Sequence, residues 1–130
     1  MNKNDATREE IKAFLDLLQS RMRYLDSIVS YDPRDKNRDF LAAMEWCSAE
    51  RDKWLLQLVP DDYYEGPLPN SDEYGEDLWV FGKMIQNELC YIKIYFLKNP
   101  NIFCISFHFA EFDMYLPLPG VTLKKTHEDQ

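Results

Sequence analysis

A phenol, an ammonium, a hydroxyl and an imidazole fall into register between two neighbouring apolar runs of this chain. Together they could move protons at a centre where negative charge develops. The runs are Leu89-Cys90-Tyr91-Ile92-Lys93-Ile94-Tyr95-Phe96-Leu97 and Ile102-Phe103-Cys104-Ile105-Ser106-Phe107-His108-Phe109. Both are rich in β-branched and aromatic residues, which predicts strands. Side chains alternate across a strand. The first run therefore sets Cys90, Ile92, Ile94 and Phe96 on one face and Tyr91, Lys93 and Tyr95 on the other. The second sets Phe103, Ile105, Phe107 and Phe109 against Cys104, Ser106 and His108. Lys98-Asn99-Pro100-Asn101 reads as the turn between them, because Pro fixes φ and Asn tolerates the left-handed region. If those residues close the hairpin, Leu97 pairs with Ile102, Tyr95 with Cys104, Lys93 with Ser106 and Tyr91 with His108. Histidine, with a reference pKa of about 6.5, suits proton transfer near neutral pH. Lysine aims fixed positive charge where anionic charge develops. Tyrosine donates a hydrogen bond or offers a stacking surface.

The elements that must position these residues are legible in outline. Thr7 with Glu10 matches a capping box, and Ile11, Phe14, Leu15, Leu17, Leu18, Met22, Leu25 and Ile28 follow helical spacing behind it. Ser30-Tyr31-Asp32-Pro33 breaks that helix, since the residue before Pro avoids the α region. A second helix is expected from Asp35 or Asn37 to Glu45, burying Phe40, Leu41 and Met44. A third starts at Ser48 and runs through Trp54, Leu55, Leu58 and Val59 to Pro60. From Asp61 to Gly75 the chain is dense in Pro, Gly, Asn and Asp and reads as a long loop. The first strand spans Asp77 to Ile85. A two-residue turn at Gln86-Asn87 sets Ile85 opposite Glu88, which puts Trp79, Phe81 and Lys83 with Ile92 and Ile94. A three-residue loop would instead put Lys83 beside Tyr91. Ala110 to Leu116 continues extended as a fourth strand or edge segment.

These elements predict one domain over residues 1–130 of α+β class. Helices over about 6–60 pack on an antiparallel sheet of three or four strands over about 77–116, after the loop 61–76 and before a frayed tail at 120–130. A hydrophobic share of 45% with 15% aromatics is that of a folded chain rather than a disordered one. No apolar run approaches the roughly 20 residues that span a bilayer, and Met1-Asn2-Lys3-Asn4-Asp5 opens no signal-peptide pattern. The three cysteines, Cys47, Cys90 and Cys104, have no metal spacing and suggest a reducing cytoplasm. A net charge of −8 argues against broad, nonspecific nucleic-acid binding, which depends on Lys and Arg neutralising phosphates. It leaves room for a local basic patch, for which Arg34, Lys36 and Arg38 are candidates, diluted by Asp32, Asp35 and Asp39. The acids of the loop (Asp61, Asp62, Glu65, Asp72, Glu73, Glu76 and Asp77) lack the order of a calcium loop. There is no Gly-rich phosphate loop, no GxSxG and no zinc signature, so neither a metal nor a cofactor is expected.

Several stretches taken together resemble a known family. Asp62-Tyr63-Tyr64-Glu65-Gly66-Pro67, Leu78-Trp79-Val80-Phe81-Gly82-Lys83, Tyr91-Ile92-Lys93-Ile94 and Cys104-Ile105-Ser106-Phe107-His108 are similar in order and spacing to the MqsR-type toxins of bacterial toxin–antitoxin pairs. Asp35-Lys36-Asn37-Arg38-Asp39-Phe40-Leu41 adds to the likeness. The resemblance runs from Asp32 to Leu116, omitting the first helix and the tail. It implies a RelE-like fold, metal-independent cleavage of messenger RNA and neutralisation by a cognate antitoxin protein. The better-known branch of the family uses a Lys after the Tyr-containing loop motif, a Gln in the first strand and a Tyr in the second. The Tyr corresponds to Tyr91, whereas Glu65 and Val80 stand at the Lys and Gln positions. A further Lys of that branch falls on His108. The chain then has either a different constellation or no activity.

Within that reading His108 is the acid or base, Lys93 or Lys83 the phosphate clamp and Tyr91 the orienting group, with Glu111 or Lys83 as the second proton-transfer group. Arg34, Lys36, Arg38, Tyr64 and Ser106 are the expected RNA contacts. Two other readings are compatible with the residues. One is a non-catalytic interaction module that binds a protein through an acidic and aromatic surface. The other is an acidic mimic of nucleic acid that inhibits a basic nuclease, which would need a contiguous acidic face.

Overall fold

The computed structural model describes residues 5–128. Helix α1 (Arg8–Tyr24) begins where the Thr7 hydroxyl accepts from the Glu10 amide at 3.1 Å and the Glu10 carboxylate accepts from the Thr7 amide at 2.9 Å. These reciprocal bonds satisfy donors that the first helical turn leaves unpaired. The helix buries Ile11, Phe14, Leu15 and Leu18, each contributing about 1.5–3 kcal/mol relative to exposure. It ends earlier than its apolar stripe suggests. Asp26 takes a left-handed φ of 51°, so Leu25 and Ile28 leave the stripe and stay 63% exposed. The chain then forms strand β1 (Val29–Tyr31) and helices α2 (Asp35–Met44) and α3 (Glu50–Leu55). The third helix is shorter than expected, and Val59 is exposed beyond it.

Strands β2 (Tyr63–Leu68), β3 (Leu78–Ile85), β4 (Glu88–Phe96) and β5 (Ile102–Phe109) join β1 in one five-stranded sheet of order β1-β5-β4-β3-β2. The class is α+β, but the sheet is mixed, because β1 runs parallel to β5. An all-antiparallel sheet of three or four strands was the expectation. The two added strands are short edge segments. By local pattern β1 looks like a helix end and β2 like a loop. Interactions from elsewhere hold β1 in place: Tyr31 donates its phenol proton to the Asp52 carboxylate, and the Arg51 guanidinium lies 3.7 Å over the Tyr31 ring.

The helices cover one face. Phe14 stacks on Trp79 at 4.6 Å and packs on Phe96 at 4.8 Å, while Phe40 meets Phe109 edge-on at 4.8 Å. The main core lies between, around Phe81, Ile92, Ile94, Ile102 and Phe107. On the opposite face Val80, Leu89, Ala110 and Met114 form a smaller cluster. Part of that face lies under a hairpin of β6 (Met114–Leu116) and β7 (Val121–Leu123). The close approach needs Gly82, where a Cβ would sit 2.8 Å from the Met114 sulfur. Met114–Leu116 is therefore not a fourth strand of the main sheet, and residues 120–128, read as a frayed tail, are tied to the fold. The Leu89 amide donates to the Thr126 hydroxyl at 2.8 Å and the Lys125 amide to Asp113 at 2.8 Å. Among the described residues no helix is long and apolar enough to cross a membrane.

Candidate functional site

The β3–β4 connection is the two-residue turn Gln86-Asn87, both residues at positive φ, as the right-handed twist of a tight hairpin requires. Its register sets Gly82 opposite Tyr91, Val80 opposite Lys93 and Lys83 opposite Cys90. Lys83 is thereby directed to the face away from Tyr91 and Lys93. Its ammonium is 3.1 Å from the Asp62 carboxylate, with both side chains largely buried. A role for Lys83 beside the other candidates is excluded by that alternation.

The β4–β5 pairing contains a correction that cancels itself. Near the turn the strands pair Phe96 with Ile102, Tyr95 with Phe103 and Ile94 with Cys104, one residue out of the expected register. Cys104 consequently lies in the helix-side core, while Phe103 stacks on Tyr95 at 5.4 Å. A bulge at Ile105 then absorbs one residue, and beyond it Lys93 faces Ser106 and Tyr91 faces His108. The expected partners at the polar end are the observed ones, but by way of the bulge. Asn37 of α2 closes it. Fully buried, it donates through Nδ2 to the carbonyls of Ile105 at 3.1 Å and Asp32 at 2.7 Å, and its Oδ1 accepts from the Phe107 amide at 3.0 Å. The backbone groups on both sides of Ser106 are thus satisfied by one side chain.

Tyr91 and His108 stack with ring centroids 5.5 Å apart and planes within 12°. Beside them is a pocket of about 190 Å³ lined by Arg34, Lys36, Lys93 and Ser106 together with Glu111 and Phe112. Positive charge is concentrated here on a chain of net charge −8. Arg34 pairs with Asp32 at 3.4 Å, and Lys36 pairs with Glu111 at 2.9 Å. Among the described residues the Lys93 ammonium has no hydrogen-bond or ion-pair partner. Arg38 turns to Asp35 on the exposed side of α2 and does not line the pocket. Tyr64 does not line it and lies behind Tyr91 and Phe112, its ring 6.2 Å from that of Phe112.

Burial lowers the pKa of His108 from its ordinary value. A hydrogen bond to the Phe109 carbonyl and the nearby Glu111 oppose that shift, while Lys36 and Arg34 reinforce it. Neutral imidazole is therefore favoured. The 2.8 Å contact runs between His108 Nδ1 and the Phe109 carbonyl oxygen. A carbonyl only accepts, so Nδ1 carries the proton and Nε2 is left as the basic nitrogen. Burial, with Glu65, Tyr64 and Glu111 nearby, pushes the Tyr91 phenol up to about 12, keeping it a hydrogen-bond donor. Its bond to Lys36 holds the Glu111 carboxyl below the ordinary range.

Phe112 and Asn37 enter the site without having been singled out in the sequence. For Asn37 a signal existed: it shares a helical face with Phe40, Leu41 and Met44, so a polar residue was aimed at the core. Phe112 had none beyond its place after an apolar strand. Among the described residues no group of His, Cys, Asp and Glu is placed to hold a metal ion. No protein-family model, curated protein or solved structure matches the chain.

Proposed function

We propose that this chain is a RelE- and MqsR-like endoribonuclease toxin, acting in the cytoplasm on single-stranded messenger RNA and held in check by a cognate antitoxin protein. One observation carries the reading. A neutral histidine with a basic Nε2 stacks on a phenol, beside a pocket that gathers three cationic side chains, Arg34, Lys36 and Lys93. RNA supplies its own nucleophile, so cleavage needs a base for the 2′-hydroxyl, charge stabilisation at phosphorus and a proton for the leaving 5′-oxygen. In this reading His108 Nε2 takes the 2′-hydroxyl proton as the oxygen attacks. Lys93, with no competing carboxylate, holds the phosphate oxygens, and Arg34 and Lys36 flank it. The Tyr91 phenol donates to the phosphate and orients it. The P–O5′ bond breaks and the departing oxygen takes a proton from solvent at the open mouth of the pocket, leaving a 2′,3′-cyclic phosphate and a 5′-hydroxyl end.

The test is induced expression in a bacterial host, wild type against His108→Ala, following growth and messenger RNA integrity. Growth arrest with RNA loss in the wild type alone is the expected result. A second reading, a non-catalytic module that binds a protein, is favoured by the side chains of Tyr24, Leu25 and Ile28, which lie 63–77% exposed around the end of α1. Normal growth with abundant folded wild-type protein would select it.

A further inference from the structure

The pocket beside Tyr91 and His108 gathers three cations on a chain of net charge −8. Phosphates are present in paired and unpaired RNA alike, so these cations leave unexplained how a single strand would be chosen. A single strand differs in having bases whose faces are free to stack on an aromatic side chain. Three rings line the pocket. Tyr91 and His108 lie on one another, 5.5 Å apart and nearly parallel, and His108 is buried. Phe112 is the exposed ring, with 46% of the residue open to solvent.

Single exposed apolar side chains are ordinary on protein surfaces, but this one is braced. Its ring meets Tyr91 edge to face at 5.9 Å and lies 6.2 Å from Tyr64. The residues on either side are anchored as well. Glu111 pairs with Lys36 at 2.9 Å, and Asp113 accepts from the Lys125 amide at 2.8 Å and pairs with the Lys124 ammonium at 3.4 Å. Phe112 is thus an apolar ring presented to solvent from a pinned segment, and it shares the pocket with Lys93, Arg34 and Lys36. An exposed ring beside cationic side chains suits single-stranded nucleic acid, the ring taking a base and the cations the backbone.

We propose that Phe112 is the base-stacking residue of the site: an unpaired nucleobase lies on its ring while the adjoining phosphate rests against Lys93. This rests on the nuclease reading and deepens it, because it assigns the choice of single-stranded over paired RNA to one side chain. In a duplex both faces of a base are covered by its neighbours, so Phe112 finds no partner there. Every base has a face to stack, so the residue selects strandedness rather than sequence. It neutralises no phosphate, and its removal leaves the salt dependence of binding unchanged. Phe112 positions the strand and takes no part in proton transfer.

The experiment measures Kd of the full chain for a fluorescent 2′-fluoro oligonucleotide, which lacks the 2′-hydroxyl and so cannot be cleaved. Wild type is compared with Phe112→Tyr, Phe112→Leu and Phe112→Ala on the single strand, on its duplex and on the same backbone without bases. Leucine fills much of the same space against Tyr64 and Tyr91 but has no aromatic face. Phe112→Tyr should bind the single strand as the wild type does. Phe112→Leu and Phe112→Ala should each lose roughly 10- to 100-fold, the span of one base–aromatic stack. The loss should be confined to the single strand with bases, with the slope of log Kd against log salt unchanged. Single-strand binding by Phe112→Leu or Phe112→Ala as tight as that of the wild type overturns the proposal. So does a loss of equal size on the baseless strand, which would mark a disturbed pocket rather than a lost stack. A folded wild type that binds no single strand overturns the nuclease reading itself.

Discussion

At His108 burial and hydrogen bonding pull in opposite directions, and burial prevails. An imidazole whose value drops on folding binds fewer protons folded than unfolded in the interval below about pH 6.5. The stability it contributes is present above that value and is lost as pH falls through the lower, folded one. Denaturant titrations of the wild type should show unfolding free energy declining from about pH 6.5 downward. In His108→Gln that part of the decline should disappear. An unchanged pH profile in the variant would mean that the ring is not desolvated as placed. Tyr91 separates stacking from hydrogen bonding. Tyr91→Phe keeps the ring on His108 and should alter stability by no more than about 0.5 kcal/mol. RNA cleavage should nevertheless fall roughly 10-fold through the lost hydrogen bond. Equal cleavage rates would remove the phenol from the mechanism.

At the scale of elements, the site depends on the β5 bulge and on the helix that closes it. β1 covers β5 only from Ile102 to Cys104, and Asn37 of α2 takes over at Ile105 and Phe107. Asn37→Leu would take their partner from the part-buried carbonyls of Asp32 and Ile105 and from the buried amide of Phe107. At about 1–3 kcal/mol for the buried amide and less for each part-buried carbonyl, the loss should be about 2–5 kcal/mol in urea unfolding. A loss below about 0.5 kcal/mol, typical of surface substitutions, would show that the bulge is held otherwise. Cleavage should fall further than the folded fraction accounts for, because relaxing the bulge shifts Ser106 and His108 by one position and turns them to the other face.

For the whole molecule, charge distribution matters more than net charge. With −8 overall, long-range attraction for RNA is absent, and binding falls to the cations of one pocket. Counterion release on single strands gives a slope of about −0.7 per neutralised phosphate. Arg34, Lys36 and Lys93 together should therefore give log Kd against log salt a slope magnitude of about 2. Lys93→Gln should reduce that magnitude by about 0.7. A slope near zero, or one unmoved by the variant, would place the RNA elsewhere on the surface.

Local patterns in the chain were enough to determine the Thr7–Glu10 cap, the turn at Gln86-Asn87 and the strands around it. Each depends on residues near one another in sequence or on the period of two along a strand, and these survive without knowledge of the rest. Only the tertiary structure decided that Lys83 is tied to Asp62, that β1 runs parallel to β5, that Asn37 closes the bulge by which Tyr91 comes to face His108, and that His127 returns to Phe109. Those features arise from pairing between distant segments. A three-residue edge strand has too few positions to show a period, and a bulge changes register without changing composition. A tail residue acquires its place from partners, here Leu89, Glu88 and Asp113, that no local pattern connects to it.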